Sequence, residues 1–185
     1  MLPFCALVVC LLAGLASAGE ASIFSSQQLA TLRSARLKIV APRTLPSGFR
    51  VHGVYVDPDF RDTPDVSYAI LYVGPQHACI VTEVAGGGIG DMIIQDAAGH
   101  NIEPTKQLRN ATFGTTAFWN TREYLGTDWF YRASTHQTGP FVSVRGDIDR
   151  TSVPRLAPKT ATHCRRPAPT ALQQLAESLD YAPDR

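Results

Sequence analysis

Clustered charge is scarce in this sequence. Charged residues make up 18% of the 185 residues and the formal net charge is +1, whereas an average protein is about 25% charged. Nucleic-acid-binding and anionic-membrane-binding proteins usually carry a clustered basic surface, so we expect neither partner here. The apolar fraction of 44% is near typical and leaves enough material for the core of one globular domain.

The common motifs of catalysis and metal binding are also missing. There is no Gly-x-Ser-x-Gly nucleophile elbow, and nothing in the sequence brings Glu83 and Asp91 together as an acid pair. No Cys-x-x-Cys or His-x-x-x-His spacing supports a metal site at His77 and His163. We therefore expect no metal and no other cofactor, and we favour a non-catalytic role, with a small hydrolase left as an alternative.

A long apolar run occurs once, at residues 1–18. It carries no charge and ends in Ala16-Ser17-Ala18, the small-residue pattern of a signal-peptidase site. The run is shorter than the roughly 20 apolar residues of a membrane-spanning helix, which favours a cleaved signal over an anchor. We therefore predict a signal peptide at 1–18 and a single exported domain at 19–185, periplasmic or extracellular, with no transmembrane anchor after cleavage.

Cysteine is rare, with four residues in the whole chain. Removal of the signal leaves Cys79 and Cys164, and an even pair in an exported protein suggests one disulfide. Two unpaired thiols are the alternative. The bridge would pin the segment before the last helix to a strand, and its long loop contributes about 4 kcal/mol in the chain-entropy model.

The clearest strand pattern lies between residues 45 and 84. Aromatic and β-branched residues fill 49–56, 66–73 and 78–84, and turn-forming residues separate them. The four-residue connection at 74–77 is short enough for an antiparallel hairpin. We therefore predict three consecutive antiparallel strands.

Two capping boxes predict helices at the two ends of the domain. Ser25 with Gln28 begins an N-terminal helix, and Thr170 with Gln173 begins a C-terminal helix whose leucines recur every three or four residues. The second helix should therefore lie across the sheet with one apolar face.

The rest of the chain carries weaker signals. We predict an irregular segment at 102–110, which includes a glycosylation sequon at Asn110 that matters only in a eukaryotic source. A turn is expected at 126–128, and 147–169 is expected to be a long basic, proline-rich loop, either solvated or touching an acidic partner. Further strands are expected at 92–96, 115–119, 122–125, 129–133 and, as the last strand, 140–146.

A glycine-rich loop follows the third strand. Neither a helix nor a Lys-Ser or Lys-Thr pair follows it, so phosphate binding is not favoured. We predict a flexible hairpin connection that could gate the mouth of a pocket. The gating residues would be Gly86, Gly87, Gly88 and Gly90.

Aromatic residues supply the candidates for such a pocket. They could line an apolar ligand site or simply fill the core, which is the more common role of aromatics in a small sheet domain. The candidates are Tyr55, Tyr72, Trp119, Trp129 and Tyr131.

The chain from Leu45 to Leu179 resembles, at its two ends, small bacterial envelope domains of the DUF4367 type. Those domains are related to the LolA/RseB-like half-barrel of lipoprotein carriers and sigma-factor regulators. The matching pieces are Leu45-Pro46-Ser47-Gly48-Phe49, the strand Tyr68-Ala69-Ile70-Leu71-Tyr72 and the closing helix at 172–179. The resemblance implies an α+β fold, a curved, half-barrel-like antiparallel sheet with N-terminal and C-terminal helices packed on it.

By analogy of fold, the resemblance also implies a function. Such a domain would hold an apolar, lipid-like ligand or a protein partner in the cell envelope, without catalysis. A structural accessory subunit of an envelope or membrane-associated complex is the alternative.

Overall fold

The computed structural model describes residues 23–59, 63–87, 92–130 and 140–182. Within these ranges, each helix is too short or too polar to span a bilayer. The predicted signal peptide lies outside them, as do Gly88, Gly90 and Tyr131, so cleavage of the signal stays a prediction.

The described chain begins with a helix, continues through a series of strands, and ends with a helix and a short strand. Two 3₁₀ turns, Pro75–His77 and Ile148–Arg150, interrupt it. The helices are α1 (Ser26–Ser34), α2 (Val153–Leu156), α3 (Pro158–Ala161) and α4 (Pro169–Ser178). The strands are β1 (Val40–Pro42), β2 (Arg50–Val56), β3 (Ser67–Val73), β4 (Cys79–Ala85), β5 (Lys106–Asn110), β6 (Gly114–Asn120), β7 (Leu125–Thr127), β8 (Phe141–Arg145) and β9 (Leu179–Tyr181).

The main sheet has seven antiparallel strands in the order β2-β3-β4-β8-β7-β6-β5. It consists of two series of sequential neighbours, β2 to β4 and β5 to β8, which meet where β4 pairs with β8. A separate two-stranded sheet joins β1 to β9. The predicted α+β class, with antiparallel sheets and helices packed on them, is confirmed.

Local signals placed the first half of the fold correctly. The Ser25 hydroxyl accepts the Gln28 N–H, and the Gln28 side chain accepts the Ser25 N–H, as a capping box requires. The three predicted strands are β2, β3 and β4, and both hairpins are antiparallel. The helix and the strand series therefore begin where short-range chemistry indicates.

One face of the main sheet, here called the helical face, packs against α1, α4 and the β1–β9 pair. Leu32 of α1 and Leu172 of α4 are fully buried there against Tyr68, Ile70 and Tyr72 of β3. The Tyr68 hydroxyl donates to the Lys38 carbonyl and accepts the Val40 N–H, which ties β1 to the sheet. This face is a filled apolar core.

The opposite face, here called the second face, is covered by two pieces of irregular chain. Residues 147–164 carry α2 and α3 over β3 and β4, and residues 92–102 lie over β6. Cys79 and Cys164 form a disulfide with 5.4 Å between their Cα atoms, which anchors the first cover. The 147–169 segment is therefore more ordered than the predicted loop, because Pro154 and Pro158 occupy the first turns of helices, where proline is well tolerated.

Two segments expected to be irregular or turn-like are strands. Residues 106–110 form the edge strand β5, whose mostly polar sequence fits an edge with three of five side chains exposed. Residues 125–127 form β7, a short strand buried between β6 and β8, where a turn was expected.

Conversely, two predicted strands are not formed as expected. Residues 92–96 make only an isolated bridge between Gln95 and Asn101, because β4 takes the distant β8 as its partner instead of the next segment. Trp129 and Phe130 lie outside the strands, and the rest of 129–133 is outside the described residues. The 122–125 prediction overlaps β7 only at Leu125.

The C-terminal helix also differs in its ends. It begins at Pro169 with Ala168 as the N-cap, so the predicted cap at Thr170 is wrong. Proline fits the first helical position because its missing N–H would have no partner there. The helix ends at Ser178, and Leu179 starts β9, so β8 is not the last strand.

Asn110 at the end of β5 holds the C-terminus of α4. Its side-chain amide donates to the carbonyls of Ala176, Glu177 and Leu179 at 2.9–3.2 Å. Carbonyls at the end of a helix have no partner within it, so this amide acts as a cap supplied from a strand. Asn110 is buried, and its sequon therefore has no room for a glycan in the folded chain.

Candidate functional site

The five pocket candidates do not converge on one pocket. Tyr72 is buried in the helical face, whereas Tyr55 packs on the second face beside the disulfide cluster. Trp119 packs edge-to-face on Tyr124 at 5.9 Å, and its indole N–H donates to the Ile102 carbonyl. Trp129 lies half-buried beside Arg145. Tyr131 lies outside the described residues.

The described part of the predicted gating loop is held in place. The Gly86 N–H donates to the Val66 carbonyl at 2.9 Å. A Cβ added at Gly86 would come within 2.6 Å of the Pro64 carbonyl oxygen, so glycine is needed for this close approach. Gly87 packs beside Asp65 in the same turn. Gating by Gly88 and Gly90 stays a prediction.

A charged pair lies on the second face between its two covers. Glu83 of β4 and Arg145 of β8 point to the same side of the sheet, and Arg145 Nη1 is 3.3 Å from Glu83 Oε2. Each side chain is only 13% exposed. Glu83 Oε1 also accepts the Ser152 N–H at 2.7 Å, which links the pair to the first cover.

The surroundings of Arg145 satisfy only part of its guanidinium. Nη1 also donates to the Arg150 carbonyl, and the Trp129 ring centre lies 5.5 Å from Cζ. Nη2 meets the Met92 sulfur at 3.6 Å, a weak acceptor, and the buried Nε has no hydrogen-bond partner among the described residues.

Ser143 completes this site. It lies opposite Glu83 in the β4–β8 register and is fully buried, yet the described part of the chain offers its hydroxyl no hydrogen-bond partner. Buried polar groups are paired in the great majority of cases. Among the described residues, four buried side chains have an atom without a hydrogen-bond partner: Tyr72 and Thr82 lie on the helical face, whereas Ser143 and Arg145 occupy neighbouring same-face positions of β8. Glu83, Met92, Trp129, Ser143 and Arg145 are called the Arg145 cluster below.

Burial shifts the pKa values of two titratable groups next to the cluster. Burial raises the pKa of Tyr124, and the charges of Asp147 and Glu83 add to that rise while Arg145 opposes it. Burial also raises the pKa of Asp147, although the Leu125 N–H and Arg166 work in the other direction. Electrostatic and hydrogen-bonding interactions are stronger in such an environment than in bulk water.

Two basic residues, Arg155 of the first cover and Arg166 just after it, form ion pairs within the fold. Arg155 bridges Asp57 and Asp59 across the end of β2. Burial raises the pKa of Asp57, but hydrogen bonds from Arg155 and the Asp59 N–H outweigh it and hold that pKa below its usual value. Arg166 pairs with Asp147 at 3.4 Å between Nε and Oδ1. Contact of these two arginines with an acidic partner would require these pairs to open.

The remaining candidate positions give weaker support for a functional site. Among the described residues, no group of three or more His, Cys, Asp and Glu side chains could hold a metal ion. A shallow depression of about 360 Å³ lies along the exposed side of α4, and its lining is polar. The lining residues are Thr44, Thr170, Gln173, Gln174, Glu177 and Ser178.

Sequence reasoning missed most of the Arg145 cluster. Glu83 was considered only as an acid partner of Asp91, which is outside the described residues, and Ser143, Arg145 and Met92 were not singled out. The available signal was the alternation in β8, where Val142 and Val144 face one side and Ser143 and Arg145 the other. That alternation looks like an ordinary solvent-exposed face until a distant cover buries it.

Comparisons with known proteins find no match to the chain among family models, curated proteins or solved structures. The resemblance to envelope domains therefore stays a prediction.

Proposed function

We propose that this chain is an exported, non-catalytic binding domain of the cell envelope and that it holds a protein partner on its second face. Export is supported by the signal-like run at 1–18 and by the Cys79–Cys164 disulfide, since such bonds persist in oxidising compartments. The surface involved is the one around the Arg145 cluster.

The observation that carries this proposal is the buried, partly unsatisfied Arg145. A buried ion pair contributes little net stability because both charges lose water, so its presence is not accounted for by stability alone. Arg145 combines a largely buried charge with the neighbouring Trp129, and arginine and tryptophan are enriched among the residues that carry most of the binding energy of protein interfaces.

A protein partner is favoured over an apolar, lipid-like ligand because of how the helical face is filled. Leu172, Leu175 and Tyr72 are completely buried between α4 and the sheet. A lipid held on that face would have to separate the helices from β3 and lose this packing. The second face offers hydrogen-bond donors, which suit a polypeptide better than an acyl chain.

The test is native mass spectrometry of the chain purified from its own host without reductant. We expect a mass two hydrogens below that of the reduced chain, together with a protein partner in fixed stoichiometry. The partner should remain with Arg109→Gln, a control at an exposed position of β5, and should be lost with the double variant Glu83→Gln/Arg145→Met.

Other results would redirect or remove the proposal. Lipid-sized adducts on an otherwise bare chain would contradict a protein partner and favour the carrier alternative. A partner retained by the double variant would contradict the second-face site and favour an accessory subunit held elsewhere. A bare monomer in every sample would contradict stable binding altogether.

A further inference from the structure

We infer that the Arg145 cluster recognises an uncharged amide group of the partner, such as a peptide bond or an Asn or Gln side chain. The inference rests on the proposed function, because it names the chemical group that the binding domain would hold. It follows from the free edge of the Arg145 guanidinium and from the unpaired hydroxyl of Ser143.

The guanidinium has one open edge. Its ring-facing side lies against Trp129, and Nη1 is engaged by Glu83 and the Arg150 carbonyl. Nε and Nη2 point from the opposite edge, and along this edge the described contact is the Met92 sulfur, 3.6 Å from Nη2. Two parallel N–H groups form a fork that can donate to an oxygen ligand, and no oxygen of residues 23–59, 63–87, 92–130 or 140–182 occupies it.

The charge balance decides between a carboxylate and a neutral acceptor. The positive charge of Arg145 is already matched by Glu83 at 3.3 Å, in a site where each side chain is 13% exposed. A carboxylate would bring a third charge and leave one of them uncompensated in a poorly hydrated place, which is costly. A carbonyl oxygen uses the same N–H donors without that cost.

Ser143 supplies the complementary group. It precedes Arg145 by two residues on the same face of β8, so the two side chains start about 7 Å apart. A hydroxyl both donates and accepts, and a secondary amide presents a carbonyl on one side and an N–H on the other. The Nε of Arg145 and the Oγ of Ser143 could therefore each find a partner in one planar amide.

Met92 covers the open edge and must move for an amide to enter. Its side chain is unbranched, has three rotatable bonds and tolerates rearrangement. Removing the thioether with Met92→Ala should expose the fork without touching either charged group. The variant is therefore expected to bind an amide more tightly than the wild-type chain.

The experiment follows the Arg145 Nε–H signal of the exported chain by NMR while N-methylacetamide is added. We expect a saturable shift in the wild-type chain and at least fivefold tighter binding with Met92→Ala. Ser143→Ala should weaken binding severalfold. Acetate, the charged analogue of similar size, should bind at least tenfold more weakly than the amide.

Controls separate loss of the site from loss of the fold. Arg109→Gln should leave the titration unchanged, and Glu83→Gln/Arg145→Met, monitored through the Trp129 indole signal, should abolish it while the chain stays folded. No saturation even with Met92→Ala would overturn the inference and leave an internal water as the partner of these atoms. Acetate binding as tightly as the amide would overturn it in favour of a carboxylate site.

These results are distinguishable from a failure of the proposed function. A protein partner that copurifies and depends on Glu83 and Arg145, with no amide titration, would leave the binding domain standing and remove only the amide. A saturable amide titration without any copurifying partner would leave the amide site standing and remove the proposed partner-binding function.

Discussion

The two faces of the main sheet are built by different means. On the helical face, α1 and α4 pack leucines against the sheet, and the core there is mostly apolar. On the second face, short helices and irregular chain cover the strands, a disulfide anchors the cover, and a charged pair lies in the gap. Apolar packing stabilises the helical face, whereas the second face includes a charged pair that contributes less to stability.

This difference shows where a binding site is tolerated. An unsatisfied buried donor costs about 1–3 kcal/mol on either face, which is a large part of a typical stability of about 5–15 kcal/mol. A face already held by covalent and ionic links can carry such a group. The second face should therefore depend on a few individual links, and the helical face on many shared contacts.

The disulfide is expected to give the largest effect. The chain-entropy model predicts that replacing both cysteines, Cys79→Ala/Cys164→Ala, lowers the free energy of unfolding by about 4 kcal/mol. Urea denaturation with and without reductant measures the loss. Reductant should destabilise the wild-type chain and leave the double variant unchanged. Equal stability of the wild-type chain and the double variant without reductant would show that packing alone holds the second face.

The charged pair is expected to come next. Arg145→Met should destabilise the fold by about 3 kcal/mol, because it leaves the Glu83 carboxylate buried without its partner. Glu83→Gln/Arg145→Met should recover most of that loss, since glutamine still accepts the Ser152 N–H. Denaturation midpoints of the two variants provide the comparison. A double variant as unstable as the single variant would mean that the ion pair itself contributes net stability to the fold.

On the helical face, the Asn110 side chain makes three hydrogen bonds to backbone carbonyls. Asn110→Ala should cost about 2 kcal/mol because three carbonyls at the end of α4 lose their donor. Asn120→Ala, at an exposed position of β6, should change stability by less than about 0.5 kcal/mol. Hydrogen exchange of the last turn of α4 should accelerate only in the first variant; equal exchange in both would argue against the cap.

The smallest expected effect is a difference in pH dependence between the faces. The Thr112 hydroxyl and Arg43 hold the pKa of Asp180 below its ordinary value of 3.8 despite some burial, so its contribution is present above 3.8 and lost as the pH falls through the folded-state pKa. Burial raises the pKa of Asp147 above 3.8, so its stabilising effect is present at low pH and lost as the pH rises.

Asparagine substitutions at these two positions should therefore diverge. Between pH 2 and 6, the stability of Asp147→Asn should rise relative to the wild-type chain with increasing pH, and that of Asp180→Asn should fall. Each change should stay within about 1 kcal/mol, because both carboxyls retain partial contact with water. Urea denaturation across this pH range measures both, and parallel pH profiles would contradict the assigned causes.

How much of the fold was predictable depended on the range of the interactions. The capping box of Ser25 and Gln28 and the strands β2 to β4 follow from chemistry within a few residues, and they were predicted. The pairing of β4 with β8 depends on residues more than fifty positions apart, so the expected strand at 92–96 was assigned to the wrong neighbour. The start of α4 was misplaced because Pro169 supplied an earlier and equally valid start.

The candidate site was harder to predict for the same reason. Arg145 ends a strand and looks solvent-exposed in the sequence, and its burial depends on covers contributed by residues 92–102 and 147–164. Cys79 and Cys164 were found by counting, since few cysteines remained. Tyr72 and Trp119 were sensible pocket candidates by type, but their placement depends on which face of the sheet each side chain joins.

The disulfide also sets how the molecule would respond to a pulling force. Helix α1 precedes β1, and the antiparallel pair β1–β9 joins Val40 to Tyr181, so tension applied at the two ends of the described fold would load α1 and would open this pair one hydrogen bond at a time before it reached α4. The stretch between Cys79 and Cys164, a separation of 85 residues, cannot extend while the bridge is intact. About 290 Å of contour length would therefore stay shielded from load. All five residues of the Arg145 cluster lie within this stretch.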